Sequence, residues 1–497
     1  MELKGERYSG ILMPLFSLPS PYGIGTLGKS AYHFIDFLEK SGQKYWQILP
    51  LGPTSYGDSP YQSLSSFAGN PYFIDLDLLI EEGLLTSEDV NSKNWGSASN
   101  EVDYGAIYNS RYEVLHLAFV KGKIRYDSLI KDFREKNAYW IEDWAIFFAL
   151  KKHFGMKGLA SWNDHKALLR DKDTLEKYRV ELKEDIEFNV FIQFLFFRQW
   201  NALRTYAKSK NIGIIGDIPI YVAPDSQDVW ASPEFFQLDE NCLPKDVSGV
   251  PPDYFNADGQ LWGNPLYDWD KMKADGFSWW KKRIEAQSKL YDMLRFDHFR
   301  GLESYYTVKF GATTAREGRW VKGPGRNFVD TLNASFPNIK FTAEDLGYLT
   351  EEVIALLKAS GWPGMKVLQF AFDSREAGDY NPKHYPYNSV CFTGTHDNTT
   401  LKGWIDEVDN AEGVENAMKT LGVSKSELLE AIIKCGMESS SFLMIVPLQD
   451  WLGLGAEARI NTPGFIGGNW KWRLNSQEML SDELAAHIKS VCAACGR

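Results

Sequence analysis

The sequence predicts an α/β chain closed into a (β/α)8 TIM barrel, with inserted, mainly helical subdomains in the loops at the C-terminal face. Three observations carry this reading. Eight short apolar runs punctuate the chain, each ending in polar or glycine-rich residues. Most intervals between them leave room for a helix, and strands that alternate with helices imply a parallel sheet. The count of runs is eight, which fits a closed barrel rather than an open, doubly wound sheet.

The elements follow in order. Ile11–Leu15 reads as the first strand, followed by a Pro- and Gly-rich loop through Gly28. Ala31, Phe34, Ile35 and Leu38 then mark one face of a helix closed by Gly42. Tyr45–Leu51 is the second strand, and the loop after it carries Ser59-Pro-Tyr-Gln62. From there to about residue 210 the pattern is mainly helical and too long for one crossover. Asn137–Phe154 and Glu187–Lys208 read as long aromatic-rich helices. A helical insertion is therefore expected over approximately residues 75–185, after strand two of a single barrel spanning 1–497. The remaining strands are Ile212–Ile218, Met293–Phe299, Ile339–Leu346, Met365–Phe372, Val390–Thr395 and Phe442–Leu448. Before the sixth of the eight lies a helix with Thr350 as N-cap, Glu351 and Glu352 in its first turn, and Gly361 past its end. A second insertion, an active-site loop, is expected over approximately residues 223–270.

Composition narrows the function. A net charge of −12 argues against nucleic acid or an anionic membrane as partner, since both call for clustered Lys and Arg. Aromatics make up 14% of the chain, and their rings suit stacking on sugar faces as well as filling a core. Five Cys is an odd number in a long chain, so a disulfide scaffold is not expected; Cys492 and Cys495 have redox spacing but no second pair. Reduced thiols, an N-terminus without an apolar h-region and the lack of any 18-residue apolar run point to a cytoplasmic chain that spans no membrane.

In a barrel of this kind, catalytic side chains project from the C-terminal strand ends. Those ends carry Asp217, then Arg295 and Asp297, then Glu344 and Asp345, and finally His396 and Asp397. One such acid alone would read as a helix cap or a buried ion pair; four strand ends converging on one mouth favour a site. Glycosidic bond cleavage asks for this arrangement, with one carboxylate attacking the anomeric carbon and another protonating the leaving oxygen. The strand period puts Arg295 and Asp297 on one face, and the guanidinium is expected to lower the pKa of Asp297 and keep it ionised as the nucleophile. Glu344, with its longer side chain, is the acid/base candidate. His396 and Asp397 could clamp sugar hydroxyls. The His residues lack metal-ligand spacing, so a catalytic metal is not expected. Residues 249–266, with Tyr254, Phe255 and Trp262, read as a loop able to shield a glycosyl-enzyme from water.

Arg295-Phe-Asp-His-Phe-Arg-Gly301, Thr342-Ala-Glu-Asp-Leu-Gly347 and Gly394-Thr-His-Asp-Asn398 resemble the three strand-end motifs of the amylomaltases, the 4-α-glucanotransferases of glycoside hydrolase family 77. Further stretches match over essentially the whole chain: Ser59-Pro-Tyr-Gln62, Gly216–Val222, Gly249–Phe255, Gly259–Leu266, Asn461-Thr-Pro-Gly464 and Asn469–Arg473. The resemblance implies Asp297 as nucleophile, Glu344 as acid/base and Asp397 as transition-state stabiliser. It implies that Arg295, Asp217 and His396 line the same sugar subsite, and that Trp262, Gln260, Tyr61 and Asn264 contact glucose units. It also implies malto-oligosaccharides and α-1,4-glucans as substrates and no cofactor or metal. An α-glucan hydrolase on the same scaffold, a non-catalytic glucan binder and a metal-dependent sugar isomerase remain as alternatives.

Overall fold

A computed structural model describes residues 5–55, 57–252, 257–373, 381–465 and 467–497. In chain order the described strands begin with β1 (Tyr8–Leu12), β2 (Tyr45–Gln47), β3 (Gly213–Ile218), β4 (Asp246–Val250), β5 (Gln260–Pro265) and β6 (Met293–Phe296). They continue with β7 (Ser304–Lys309), β8 (Gly318–Lys322), β9 (Lys340–Ala343), β10 (Gly364–Val367), β11 (Ser389–Phe392) and β12 (Leu443–Pro447). Eight of these make one parallel sheet in the order β10-β11-β12-β1-β2-β3-β6-β9. The ends of that order meet: Ala343 N–H donates to Pro363 O at 2.8 Å, and Met365 N–H to the Asp345 carboxylate at 2.6 Å. The expected (β/α)8 barrel is present.

Each of the eight apolar runs supplies one barrel strand, because a parallel strand covered on both faces must be apolar on both. The boundaries shift where the pattern misleads. The first strand starts at Tyr8, three residues before the expected Ile11, and Leu15 lies in a short 3₁₀ turn. Its opening residues Ser9 and Gly10 are buried but not apolar, and Gly10 is required, since a Cβ there would sit 2.6 Å from Tyr45 O. The sixth run is strand only to Val367, after which Leu368–Ala371 turn into a single helical turn.

The barrel interior is layered. Leu12, Ile215, Met293, Met365, Val390, Phe392 and Ile445 form an apolar floor. The alternate residues Ile214, Leu294, Phe296, Phe341 and Ala343 face outward into the shell of helices. The helix Lys183–Ser209, about 40 Å long at 1.5 Å per residue, links the shell to the insertion. Near its start Phe191 and Phe194 pack on Phe119 and Tyr126 of the inserted helices, while further along Trp200 donates to Leu290 O beside the barrel.

Residues 249–266 are not simply a loop. β4 and β5 pair antiparallel, and β4 pairs with β7, giving a second sheet in the order β5-β4-β7-β8 contributed by the segments after β3 and β6. Tyr254 and Phe255 lie outside the described residues. Among the described residues no helix is long and apolar enough to cross a membrane.

Candidate active site

The register of the sheet assembles the site. β3 and β6 pair so that Asp217 lies directly opposite Arg295, one layer above the apolar pair Ile215 and Met293. Arg295 Nη1 donates to both Asp217 oxygens at 2.8 and 2.7 Å, and to Asp297 Oδ1 at 2.8 Å. The Asp297 side chain keeps 26% of its surface exposed, whereas those of Arg295 and Asp217 keep 5% and 0%. One arginine therefore serves two carboxylates, a buried one beneath and an accessible one at the mouth.

Strand β6 ends because His298 adopts a left-handed backbone, φ 52°, which swings the chain into a 3₁₀ turn over Phe299–Leu302. Phe299 thereby leaves the Arg295/Asp297 face and packs against Trp362. The same turn aims the His298 N–H at Glu344 Oε2, 2.8 Å away, and Leu346 N–H donates to Glu344 Oε1 at 2.7 Å. Glu344 thus sits at the end of β9, fixed by two backbone donors from adjacent strand ends.

The charge balance differs from the sequence expectation. Burial raises the Asp297 carboxyl well above its usual range; Arg295 opposes this, but the charges of Asp217 and Glu344 add to the rise. Arg295 does not by itself hold Asp297 low, because its single charge is shared with Asp217. Burial raises Glu344 as well, against Arg295 and its two backbone donors. Three carboxylates around one guanidinium leave an excess of negative charge, which one proton on the Asp297/Glu344 pair relieves.

The third acid stands on the other wall. His396 is buried and its pKa is lowered, chiefly by burial, so it is neutral; its Nε2 lies 3.3 Å from Asp397 Oδ1. The Tyr61 ring stacks on His396 with centroids 5.1 Å apart and planes at 14°, and its hydroxyl donates to Asp217 at 2.8 Å. Tyr61 therefore bridges the β3 and β11 ends.

The remaining expected residues separate into two kinds. Trp262 and Gln260 on β5 are partly exposed and joined by a 3.1 Å hydrogen bond, and the Trp262 ring meets His298 edge to face at 4.8 Å. Asp217 and Asn264 are buried and hydrogen-bonded to protein partners. Both Asp217 oxygens are occupied by Arg295, with Tyr61 on one of them. Asn264, 4% exposed, donates to Val222 O at 2.9 Å and shares hydrogen bonds with Gln62 and Ser248. A strand-end position reveals that a side chain points into the barrel; how much of its surface stays open depends on what later folds over it.

Two contacts were not foreseen. Asn461 Nδ2 donates to Asp397 Oδ1 at 2.6 Å, and Arg459 Nη2 donates to the Asp397 backbone carbonyl at 2.6 Å. Asn461 belongs to a motif quoted above, without a role; nothing in the sequence singles out Arg459. Asp345, beside Glu344, points away from the pair to accept from Met365 N–H. Among the described residues no three His, Cys, Asp or Glu side chains are gathered to hold a metal ion.

Comparison with known proteins places this geometry in context. A family model described as 4-alpha-glucanotransferase (glycoside hydrolase family 77) matches residues 13–479. The 4-alpha-glucanotransferase of Clostridium butyricum is 47% identical over 487 residues, 98% of this chain and 100% of that protein. That of Thermus thermophilus is 45% identical over 510 residues, 100% of both chains. An amylomaltase from Streptococcus agalactiae, solved with acarbose, superposes with a TM-score of 0.95 at 39% identity, covering 99% of this chain and 100% of that one.

Proposed function

Since the chain belongs to the 4-alpha-glucanotransferases of glycoside hydrolase family 77, we propose that it moves α-1,4-glucan segments between malto-oligosaccharides by a retaining double displacement on Asp297. The observation that carries this reading is the shared Arg295, which leaves a buried carboxylate below and an accessible one at the mouth, beside a second, proton-sharing carboxyl on the next strand.

In this mechanism Asp297 attacks the anomeric carbon as the glycosidic bond breaks, and Glu344 gives its proton to the leaving oxygen. Arg295 Nη1 hydrogen-bonds Asp297 directly, which favours the ionised form there, and the reaction takes the shared proton from Glu344 in this step. The departing sugar leaves a glycosyl ester on Asp297 and a carboxylate at Glu344. The 4-hydroxyl of an incoming sugar then loses its proton to Glu344 and attacks the anomeric carbon, which releases Asp297 with configuration retained. Asp397 and His396 act on the hydroxyls of the distorting ring; Trp262 and Gln260 offer a partly exposed ring and amide for an adjoining glucose. Asp217 serves by fixing Arg295 and Tyr61, and Asn264 by tying β5 to Val222. All five cysteines carry free thiols, which supports a cytoplasmic location.

Incubation with pure maltotriose tests the proposal. Glucose together with chains longer than three units, unchanged by EDTA, is the expected result. Products no longer than maltose would make the chain a hydrolase, and binding without turnover would make it a glucan-binding protein.

A further inference from the structure

The Asp397 side chain is more open than that of Asp297, with 43% of its surface exposed against 26%. A half-exposed carboxylate at a strand end samples several rotamers unless something fixes it. What fixes it here comes from a segment more than sixty residues further along the chain. Asn461 Nδ2 reaches Asp397 Oδ1 at 2.6 Å, on the same oxygen that faces His396 Nε2. Among the described residues no donor occupies Oδ2, so pinning one oxygen leaves the other directed to the mouth.

The segment that carries Asn461 is itself held at several points. Arg459 donates from Nη2 to Asp397 O at 2.6 Å and from Nε to Asn461 O at 2.7 Å, so one guanidinium ties the two backbones together. Asn461 N–H donates to His396 O at 3.0 Å. Asn469 closes the turn that follows: its side-chain oxygen accepts from Thr462 N–H at 2.9 Å, and its amide donates to Thr462 O at 3.2 Å and Phe465 O at 3.0 Å. Trp470 then packs on both His396 and Tyr61, with ring centroids 6.0 and 5.8 Å apart. Its backbone is left-handed, φ 65°, a conformation a bulky side chain resists and keeps only where its surroundings impose it. Tyr104 of the inserted helices donates to Trp470 O at 2.8 Å, which supplies one such constraint.

We propose that Asn461 is a positioning residue for the transfer reaction: its amide sets the Asp397 carboxylate for the transition state, on a segment locked by Arg459, Asn469 and Trp470. The inference rests on the reading of Asp397 as the group that acts on the distorted sugar ring. A carboxylate that matters most in the transition state loses rate, not ground-state affinity, when it is misplaced.

The test is steady-state kinetics of Asn461→Leu and Asn461→Asp in the full chain, with Asp397→Asn alongside. Leucine keeps the bulk and removes the donor; aspartate keeps the shape and places a second carboxylate against Oδ1. The expected loss for Asn461→Leu is about 100-fold in kcat, on both maltotriose and α-maltosyl fluoride, with KM for maltotriose changed by less than about threefold. Asn461→Asp falls lower still, and both variants keep melting temperatures within about 3 °C of the parent. A fluoride donor needs no acid, so an equal loss on both donors points to Asp397 and not to Glu344. Parental kcat in both variants with Asp397→Asn crippled overturns the positioning role alone. A loss carried wholly in KM overturns it too. Parental turnover by Asp397→Asn would instead remove the reading on which the inference rests.

Discussion

The floor and the mouth of the barrel are built from the same strands by residues two positions apart, and they obey opposite rules. On β3 and β6 the pair Ile215 and Met293 lies in the apolar floor, while Asp217 and Arg295 one layer up form an ion pair. Floor residues gain stability from burial and shape. Mouth residues are held where burial penalises their charge, with three carboxyls gathered on one guanidinium. The fold bears that cost because the register fixes the groups: they cannot separate without unpairing the sheet. Stability and chemistry are thus divided by height within one interior.

The sharpest break in this comparison is Asp297→Asn. Turnover should fall by about five orders of magnitude, as for removal of a covalent nucleophile. Thermal stability at neutral pH should hold or rise. A carboxyl whose pKa is raised in the fold binds its proton more tightly folded than unfolded. Its contribution to stability is therefore present in acid and lost as pH rises through the folded pKa, and a neutral amide escapes that loss. Loss of stability with retained turnover would reverse the assignment of this layer.

Phe392→Ala probes the floor. Phe392 is 2% exposed among Val390, Ile445 and Met365, and truncating it should cost about 3–5 kcal/mol by denaturant unfolding. The kcat per folded molecule should stay within a few-fold of the parent. A loss of kcat rivalling that of Asp297→Asn would mean that floor and mouth are not separable.

The smallest effect is expected at the boundary. His298 is partly buried, and its pKa is pushed down to about 3 by desolvation and by Arg300. The unfolded chain takes up this proton near pH 6.5 and the folded chain does not, so stability falls as pH drops from about 6.5 towards 3. His298→Asn, which tolerates the same left-handed backbone, should shrink the difference in melting temperature between pH 7 and pH 5. An unchanged difference would show that His298 titrates normally.

How much of this was legible depends on what kind of signal each residue carries. The barrel strands stood out because burial on both faces makes them continuous apolar runs, and the helix Glu351–Ser360 stood out because Thr350 and Gly361 mark its ends. β4 and β5 did not: Asp246-Val-Ser-Gly-Val250 and Gln260–Pro265 read as loop, and only their pairing with each other and of β4 with β7 makes them strands. The three acids at the mouth were visible as strand ends. That Asp217 and Asn264 are covered was not, since their partners Tyr61 and Gln62 arrive from the loop after β2. The upward shift of Asp297 was likewise hidden, because it arises from burial first and then from Asp217 and Glu344, which the pairing of β3, β6 and β9 brings beside it.

The covalent intermediate tests the central claim most directly. Glu344→Gln, given α-maltosyl fluoride, can form the glycosyl-enzyme without an acid but lacks the base that activates an acceptor, so the intermediate should accumulate. Acid quenching, proteolysis and mass spectrometry should then find a maltosyl group on the peptide bearing Asp297, and none after the added substitution Asp297→Asn. A maltosyl group on another residue, or rapid transfer with no adduct, would contradict the account.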